Sequence, residues 1–415
     1  MMKKISRLAL PLFVFWPFGA FLLSLLNLKS NSSAFIYIAF AVFVGYSMSF
    51  ENSSADSYRY ALAFARLDNT LNYNAIIDLY INGELRDLYR LLLFYLTSIF
   101  SNNPKVLYGL AGFVFGTLNY LSIRILIKEY GKTWDRYVFF LTLVFFTCIS
   151  LANINGFRFW TGALVLFYTM YNSIVLNNKK WILGVLITPL IHYGFILIMP
   201  IIVLYFFLGR MFYTKFKVAP LLYWIFIFTF FISWVLDSHI INLGFLREFG
   251  VLPDEVAYRL DYLTREDVTD MLEKRREGSL FLNVQTYFSY LIKIYVFIAV
   301  LFLNKLLKRM NGDKIEYTRL FAFILFFYIV SFGAATFPGG ARFLVIAHLF
   351  LFVLLAKFYR IYRERNIKQI ITWSLLGFSF NIAFVNFMLP ILSISPTLWY
   401  GNLFWIIIEG WDFHI

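Results

Sequence analysis

The chain has 415 residues, of which 61% are hydrophobic and only 14% are charged. A soluble domain of this length cannot keep so much apolar surface away from water, so the composition excludes a soluble globular protein. The formal net charge of +14 does not indicate nucleic acid as a partner, because the basic residues lie in short loops between apolar runs. The single cysteine, Cys148, excludes an intramolecular disulfide and a metal site of the zinc-finger type.

Apolar runs recur along nearly the whole chain, from the first residues to the last. Each has about 17 to 22 residues, which is enough to cross a hydrocarbon core about 30 Å thick. Lipid offers backbone amides no hydrogen-bond partners, so these runs are expected to be helical. The pattern predicts an all-α polytopic membrane protein with about 12 to 13 transmembrane helices. We expect one integral membrane domain over residues 1–415.

The loops indicate how the chain is oriented in the bilayer. Basic loops, the strongest being KFYRIYRERNIK from Lys357, are expected in the cytoplasm. The segment 237–284 contains ten Asp and Glu residues against six Lys and Arg and is predicted to be a helical extracytoplasmic loop. The side of the N-terminus stays open, as does that of the loop 51–87, because the charges of that loop are nearly balanced.

One helix is predicted to be broken near Pro189–Gly194. The apolar segment 181–208 lies between Lys180 and Arg210, which both belong to basic, cytoplasmic loops. The chain must then turn back at LITPLIHYGF, where proline and glycine flank His192. The alternative is a single tilted helix of about 42 Å, which is long for one crossing.

Two arginines open apolar helices at the predicted outer edge of the membrane. Arg158 precedes cytoplasmic Lys179 by about 31 Å of helix, and Arg342 precedes Lys357 by about 22 Å. Arg342 follows Gly339 and Gly340, where the backbone can approach a ligand closely. A guanidinium group at this depth either binds an anionic substrate or extends to lipid phosphate. The positive-inside rule makes arginine less expected on the outer side and favours a functional role.

Arg158, His192, Arg342 and Asp56 are the candidate catalytic residues. His192 lies at the apex of the predicted hairpin, and Asp56 follows the second apolar segment. Either side chain is a candidate acceptor for a hydroxyl proton, and the sequence does not choose between them. Asp56 is equally consistent with a charge partner at a helix end. The candidate substrate-binding residues are Tyr58, Arg59, Glu84, Asn155, Tyr193, Gly339 and Gly340.

Several motifs of nucleotide and metal chemistry are absent from the sequence. It contains no GxxxxGK[ST], so ATP is not expected as an energy source. It also contains no HExxH motif, no paired-acid DxD array and no GxSxG nucleophile elbow. We therefore expect neither a cofactor nor a metal ion.

The order of the motifs resembles the EpsG/Wzy-type polysaccharide polymerases over roughly residues 34–360. Four features carry the resemblance: Asp56 with its following tyrosines, NGELRDLYR before SNNPKVLYGL, Arg158 at a helix start, and LITPLIHYGFILIMP. The chain departs from the family pattern at Tyr193, where a small residue or proline is common. It also has Gly45-Tyr46-Ser47 where the family has Gly-Leu-Arg.

The resemblance implies an activity, a location and partners. Such enzymes join oligosaccharide repeat units on the outer face of the bacterial inner membrane, for O-antigen, capsule or exopolysaccharide. Both donor and acceptor are polyprenyl-pyrophosphate-linked oligosaccharides, and a chain-length regulator protein is a further partner that the resemblance suggests. The sequence leaves two alternatives open. A lipid-linked oligosaccharide flippase needs charges at mid-membrane depth, whereas an O-antigen ligase or a related glycosyltransferase differs only in its acceptor.

Overall fold

The computed structural model describes residues 2–51, 55–66, 87–131, 135–215, 218–236, 280–311, 314–336 and 339–411. Within these ranges the chain is helical, and the only β-type pairing is an isolated bridge between Met48 and Ile394. Residues 237–279 of the predicted outer loop, and Glu84, lie outside the described residues, so the predictions made for them stay predictions. The α-helices of the described residues, numbered in chain order, are α1 Met2–Phe15, α2 Pro17–Leu25, α3 Asn31–Tyr46, α4 Asp56–Ala65, α5 Leu88–Ser98, α6 Pro104–Tyr130, α7 Arg136–Cys148, α8 Phe157–Ile174, α9 Ile182–Ile191, α10 Met199–Lys215, α11 Val218–Leu236, α12 Leu280–Arg309, α13 Ile315–Ala334, α14 Arg342–Ile361, α15 Arg365–Gly377, α16 Leu389–Ser393, α17 Thr397–Tyr400 and α18 Leu403–Trp411.

The chain divides into two compact units. Unit 1 comprises Met1–Thr133, Phe145–Phe206 and Asn381–Ile415, and unit 2 comprises Trp134–Val144 and Phe207–Phe380. Each unit has a core of buried apolar side chains, rich in phenylalanine and leucine. This division does not test the prediction of one membrane domain over residues 1–415.

Five of the described helical segments are long and apolar enough to cross a membrane, or six if a bent pair of helices, Arg365–Gly377 and Asn381–Ser393, counts as one span. The five are Pro104–Tyr130, Arg136–Ile174, Asn283–Arg309, Ile315–Ala334 and Arg342–Ile361, and four shorter apolar helices accompany them. The prediction of an all-α polytopic membrane protein is confirmed. Several other apolar runs form shorter or interrupted helices among the described residues.

Unit 1 is built around the contact between α3 and α6. A Cβ atom at Gly45 of α3 would collide with the backbone at Tyr108, and one at Gly112 of α6 would collide with the backbone at Ala41. Glycine at these two positions therefore lets the helix backbones approach closely, as small residues do in membrane helix pairs.

A short 3₁₀ helix, Leu151–Gly156, sets the start of α8. The side chains of Ser150 and Asn153 form a capping box with each other's backbone, which fixes the entry of the chain. As a result α8 begins at Phe157, and Arg158 lies in its first turn.

The predicted break near Pro189–Gly194 is confirmed. Helix α9 contains Pro189 near its end and stops at Ile191. His192 is extended, with φ −149° and ψ 121°, and its Nδ1 accepts a hydrogen bond of 3.0 Å from the backbone N–H of Gly194. A 3₁₀ helix, Tyr193–Ile196, follows and leads to α10. The imidazole thus stabilises the turn at the interruption.

Helix α14 contributes much of the core of unit 2, with 15 of its 20 residues buried. Two polar contacts link α14 to α13. The Lys357 Nζ lies 2.7 Å from Glu316 Oε1, and the His348 Nδ1 lies 2.7 Å from the Tyr328 hydroxyl. The buried His348 thus has a polar partner, as expected of a structural histidine.

Candidate functional site

The guanidinium group of Arg158 is largely buried and is held by two side chains. Its Nη1 donates to Asp87 Oδ2, and its Nη2 donates to the Tyr60 hydroxyl at 2.5 Å. The guanidinium carbon also lies 4.4 Å from the centroid of the Tyr60 ring, which is a cation–π distance. The side chain of Arg158 is 18% exposed and that of Asp87 only 3%. Arg158 therefore has a fixed geometry rather than extending freely into solvent.

Asp87 connects Arg158 to the broken helix. Its Oδ1 accepts a hydrogen bond of 2.9 Å from the backbone N–H of Tyr193, while Oδ2 binds Arg158. Both carboxylate oxygens thus accept hydrogen bonds in a buried position. Our sequence reasoning missed Asp87. The sequence does contain one indication of its role. Asp87 directly precedes an apolar segment, where an unpaired charge would raise the free energy of the folded protein.

Arg90 brings a second guanidinium group to the same place. Its guanidinium carbon lies 5.7 Å from the centroid of the Tyr60 ring. The Nε atoms of Arg90 and Arg158 are buried and have no hydrogen-bond partner among the described residues. Burial raises the pKa of Tyr60, so this hydroxyl stays neutral and can serve as an acceptor for Arg158.

Asp56, at the start of α4, lies close to the 3₁₀ helix that precedes Arg158. A Cβ atom at Gly156 would be 3.2 Å from Asp56 Oδ2. Asp56 Oδ1 also accepts a hydrogen bond of 2.5 Å from Arg59, in a pair whose side chains are 26% and 61% exposed. The carboxylate is therefore accessible from outside the protein. Asn155 Oδ1 accepts a hydrogen bond of 2.8 Å from the backbone N–H of Ser57 and thereby fixes the position of this helix start.

His192 and Tyr193 lie beside the same helix start. The His192 ring packs edge-on against Phe159, with 5.3 Å between ring centroids. Because Nδ1 of His192 accepts a hydrogen bond from a backbone N–H, the proton of the neutral ring lies on Nε2. In this arrangement Nδ1 is already used as an acceptor.

We refer to Arg158, Asp87, Tyr60, Arg90 and His192 as the Arg158 cluster. With the neighbouring Asp56–Arg59 pair, it contains three arginines and two aspartates, so its formal charge is 3 − 2 = +1. Such a cluster is suited to an anionic ligand. The structure thus brings together Arg158, His192, Asp56, Arg59, Asn155 and Tyr193 of the predicted site residues, and Tyr58 is half-buried on α4.

The predicted residues Arg342, Gly339 and Gly340 belong to unit 2. Arg342 is exposed at the start of α14, and its backbone N–H donates to the Gly339 carbonyl at 3.3 Å. Gly339 has φ 78°, a left-handed conformation that favours glycine.

The fold and the cluster define a class: an all-α polytopic membrane protein with a buried arginine–aspartate pair at the start of a helix. Among the described residues no group of three or more His, Cys, Asp or Glu side chains could hold a metal ion. Comparisons with family models, curated proteins and solved structures give no match to this chain. The resemblance to the polysaccharide polymerases therefore depends on the sequence motifs and stays a prediction.

Proposed function

We propose that this protein is a polysaccharide polymerase of the bacterial inner membrane. It transfers a growing glycan from its polyprenyl pyrophosphate carrier to the non-reducing end of a second lipid-linked repeat unit. Both substrates reach the enzyme from the bilayer, and a chain-length regulator acts as a partner. The observation that supports this proposal best is Arg158, fixed at a helix start by Asp87 and Tyr60.

In the proposed reaction an acceptor hydroxyl attacks the anomeric carbon of the donor sugar. The bond from that carbon to the pyrophosphate oxygen breaks, and its electron pair leaves with the polyprenyl pyrophosphate. Negative charge on the leaving oxygen increases during this step. A fixed guanidinium group stabilises that charge without reorganisation, and a planar fork can donate to two phosphate oxygens.

The existing hydrogen bonds of Arg158 limit how it can bind a pyrophosphate. Its Nη atoms donate to Asp87 and Tyr60, so an incoming pyrophosphate shares these donors or displaces the neutral Tyr60 hydroxyl. The Asp87 carboxylate keeps the guanidinium in place in either case. The guanidinium carbon of Arg90 lies 5.7 Å from the centroid of the Tyr60 ring. Arg90 thus adds a second positive charge for the second phosphate group. Arg342 stays a proposed catalytic residue of unit 2.

Asp56 is the better candidate for the base that removes the acceptor proton. Its carboxylate is partly exposed and lies against Gly156, two residues before Arg158. His192 is the weaker candidate for the base, because its Nδ1 already accepts a hydrogen bond from a backbone N–H. The acceptor proton would thus pass to Asp56, while His192 binds a sugar or phosphate oxygen. Trp160 provides an aromatic face next to Gly156, and Tyr58 lies two residues after Asp56 on α4.

A test uses a strain that lacks the chromosomal gene and retains the flippase and the ligase. Arg158→Lys is compared with Arg124→Lys, a charge-conserving change at an exposed arginine of unit 1, after equal insertion into the membrane is verified. The surface glycolipid ladder is then separated on a gel. We expect Arg158→Lys to leave one-unit lipid and little longer product, whereas Arg124→Lys gives the normal ladder.

The same gel distinguishes the alternatives. Surface lipid without any repeat unit from Arg158→Lys would indicate a flippase and contradict the proposal. A normal ladder from Arg158→Ala would show that this arginine has no role in glycan transfer. If long glycan accumulates on its polyprenyl carrier and only its attachment to the surface lipid fails, the protein is a ligase.

A further inference from the structure

A basic cleft lies at the end of unit 1 opposite to the Arg158 cluster. It has a volume of about 560 Å³ and lies where α6 and α8 end, with lining residues that include Lys29, Arg124, Lys128 and Tyr168. Tyr168 lies ten residues after Arg158 on α8, which is about 15 Å along the helix. The cleft is therefore separate from the proposed catalytic residues.

Three cations line this cleft, and all three are exposed. Lys29 Nζ donates to the carbonyl of Gly131 at 2.9 Å, which links the α2–α3 connection to the end of α6. Arg124 and Lys128 are four residues apart on α6, where like charges face each other and repel. Within the described part of the chain, no salt bridge involves Lys29, Arg124 or Lys128.

The carboxylate next to Lys128 in the chain has another role. Glu129 is buried and accepts a hydrogen bond from the hydroxyl of Tyr171. Its side chain is thus directed into the protein and linked to α8, whereas Arg124 and Lys128 on the same helix are exposed. An anion in the cleft would relieve the repulsion between these two cations.

The remaining walls of the cleft are partly apolar, with Tyr168, Tyr171 and Asn172 as further polar lining residues. Leu121, Ile125, Ile127 and Leu176 line it, and Leu176 is 46% exposed. A free inorganic anion gains nothing from these surfaces, whereas the acyl chain of a lipid does. Lys128, at the end of α6, and Lys179 and Lys180, after α8, belong to basic connections that are predicted to be cytoplasmic. In many membranes the cytoplasmic leaflet carries anionic lipid, which attracts basic residues near the surface.

We propose that this cleft is a binding site for an anionic phospholipid of the cytoplasmic leaflet. The phosphodiester binds between Lys29, Arg124 and Lys128, and an acyl chain covers Leu121 and Leu176. The bound lipid would hold the ends of α6 and α8 and the α2–α3 connection together. This site is independent of the proposed polymerase activity and of its pyrophosphate-linked substrates.

The test measures lipid binding by the purified full-length chain in nanodiscs of phosphatidylcholine. Increasing fractions of phosphatidylglycerol are added, and bound lipid is counted by native mass spectrometry. The double variant Arg124→Gln/Lys128→Gln removes two cations from the cleft. Its matched control, Lys179→Gln/Lys180→Gln, removes two exposed cations of the same end that do not line the cleft. We expect apparent affinity to fall by about tenfold or more in the cleft variant and less than twofold in the control.

Further comparisons distinguish lipid binding in the cleft from a general attraction of anionic lipid to the basic surface. Arg124→Lys/Lys128→Arg keeps the charge and is expected to keep lipid binding, which separates loss of charge from misfolding. Equal losses in both Gln variants would show a diffuse surface effect and overturn the proposal. If inorganic phosphate at equal concentration competes as well as phosphatidylglycerol, the occupant is a soluble phosphate and the lipid assignment is wrong.

Discussion

Arg158 and Arg342 have the same local sequence context and different environments. Each precedes a phenylalanine and lies at the start of an apolar helix, α8 or α14. Arg158 is largely buried and is held by Asp87 and Tyr60, whereas Arg342 is exposed. The two arginines therefore share a position at a helix start and differ in burial. The rest of the fold determines how far such an arginine is buried.

This difference has an energetic consequence. A buried charge that loses its partner keeps its desolvation penalty and has no compensating attraction. An exposed charge is solvated by water and contributes little when it is changed. Changes in the Arg158 cluster should therefore have larger effects than the same changes at exposed residues, and the following predictions test this comparison in order of expected effect.

The largest effect is expected for Asp87→Asn. This change leaves the Arg158 guanidinium buried without a counter-charge, at a cost of about 3 kcal/mol or more. Glu364→Gln is a matched control, because Glu364 pairs with Arg309 at 3.4 Å and both side chains are exposed. The free energy of unfolding is measured by thermal unfolding of the purified protein in detergent. We expect Asp87→Asn to lower it by about 3 kcal/mol or more and Glu364→Gln to lower it by less than about 1 kcal/mol. Equal shifts would contradict the assigned burial of Asp87.

The second prediction compares the two arginines directly. Arg158→Lys removes the planar fork that binds Asp87 and Tyr60 together, so we expect loss of most long-chain glycan while the protein still inserts. Arg342→Lys changes an exposed side chain, and we expect a smaller reduction in chain length. Both variants are compared by the surface glycolipid ladder at equal protein level. A larger defect in Arg342→Lys than in Arg158→Lys would show that Arg342, and not Arg158, makes the principal charge contact with the substrate.

Local signals in the sequence were sufficient for part of this account. Proline and glycine beside His192 predicted the break, and the run of apolar residues predicted a helix after Arg158. The partners of Arg158 could not be found in this way, because Asp87 is 71 residues distant and Tyr60 is 98 residues distant in the chain. The capping box that fixes the 3₁₀ helix Leu151–Gly156 before Arg158 is likewise a feature of the folded chain that the apolar pattern did not predict.

A third, smaller effect is expected for Tyr60→Phe. The ring that stacks against Arg158 is kept, and only the hydroxyl that accepts from Nη2 is lost. A hydrogen bond to a charged group contributes about 1.5 to 3 kcal/mol, so the rate of glycan extension should fall by about tenfold or more. Tyr58→Phe, on the same helix, serves as the control for loss of a hydroxyl. An unchanged rate in Tyr60→Phe would show that this hydroxyl does not position Arg158.

The smallest effect on stability is expected for Arg59→Ala. The pair with Asp56 is largely exposed on the arginine side, and exposed pairs contribute about 0 to 1 kcal/mol. We therefore expect nearly unchanged thermal unfolding, measured as for Asp87→Asn. A destabilisation comparable to that of Asp87→Asn would show that Arg59 is as important to the fold as the buried pair.

The central claim is that the Arg158 cluster serves transfer of a glycan from polyprenyl pyrophosphate. The most direct measurement uses purified protein in liposomes that contain the host's polyprenyl-pyrophosphate-linked repeat unit, with chelator present and without nucleotide. We expect glycans of two or more units to form together with free polyprenyl pyrophosphate, and Arg158→Lys to form almost none. Repeat units that cross the bilayer without being joined, or that stay unchanged with the wild-type protein, would contradict the account.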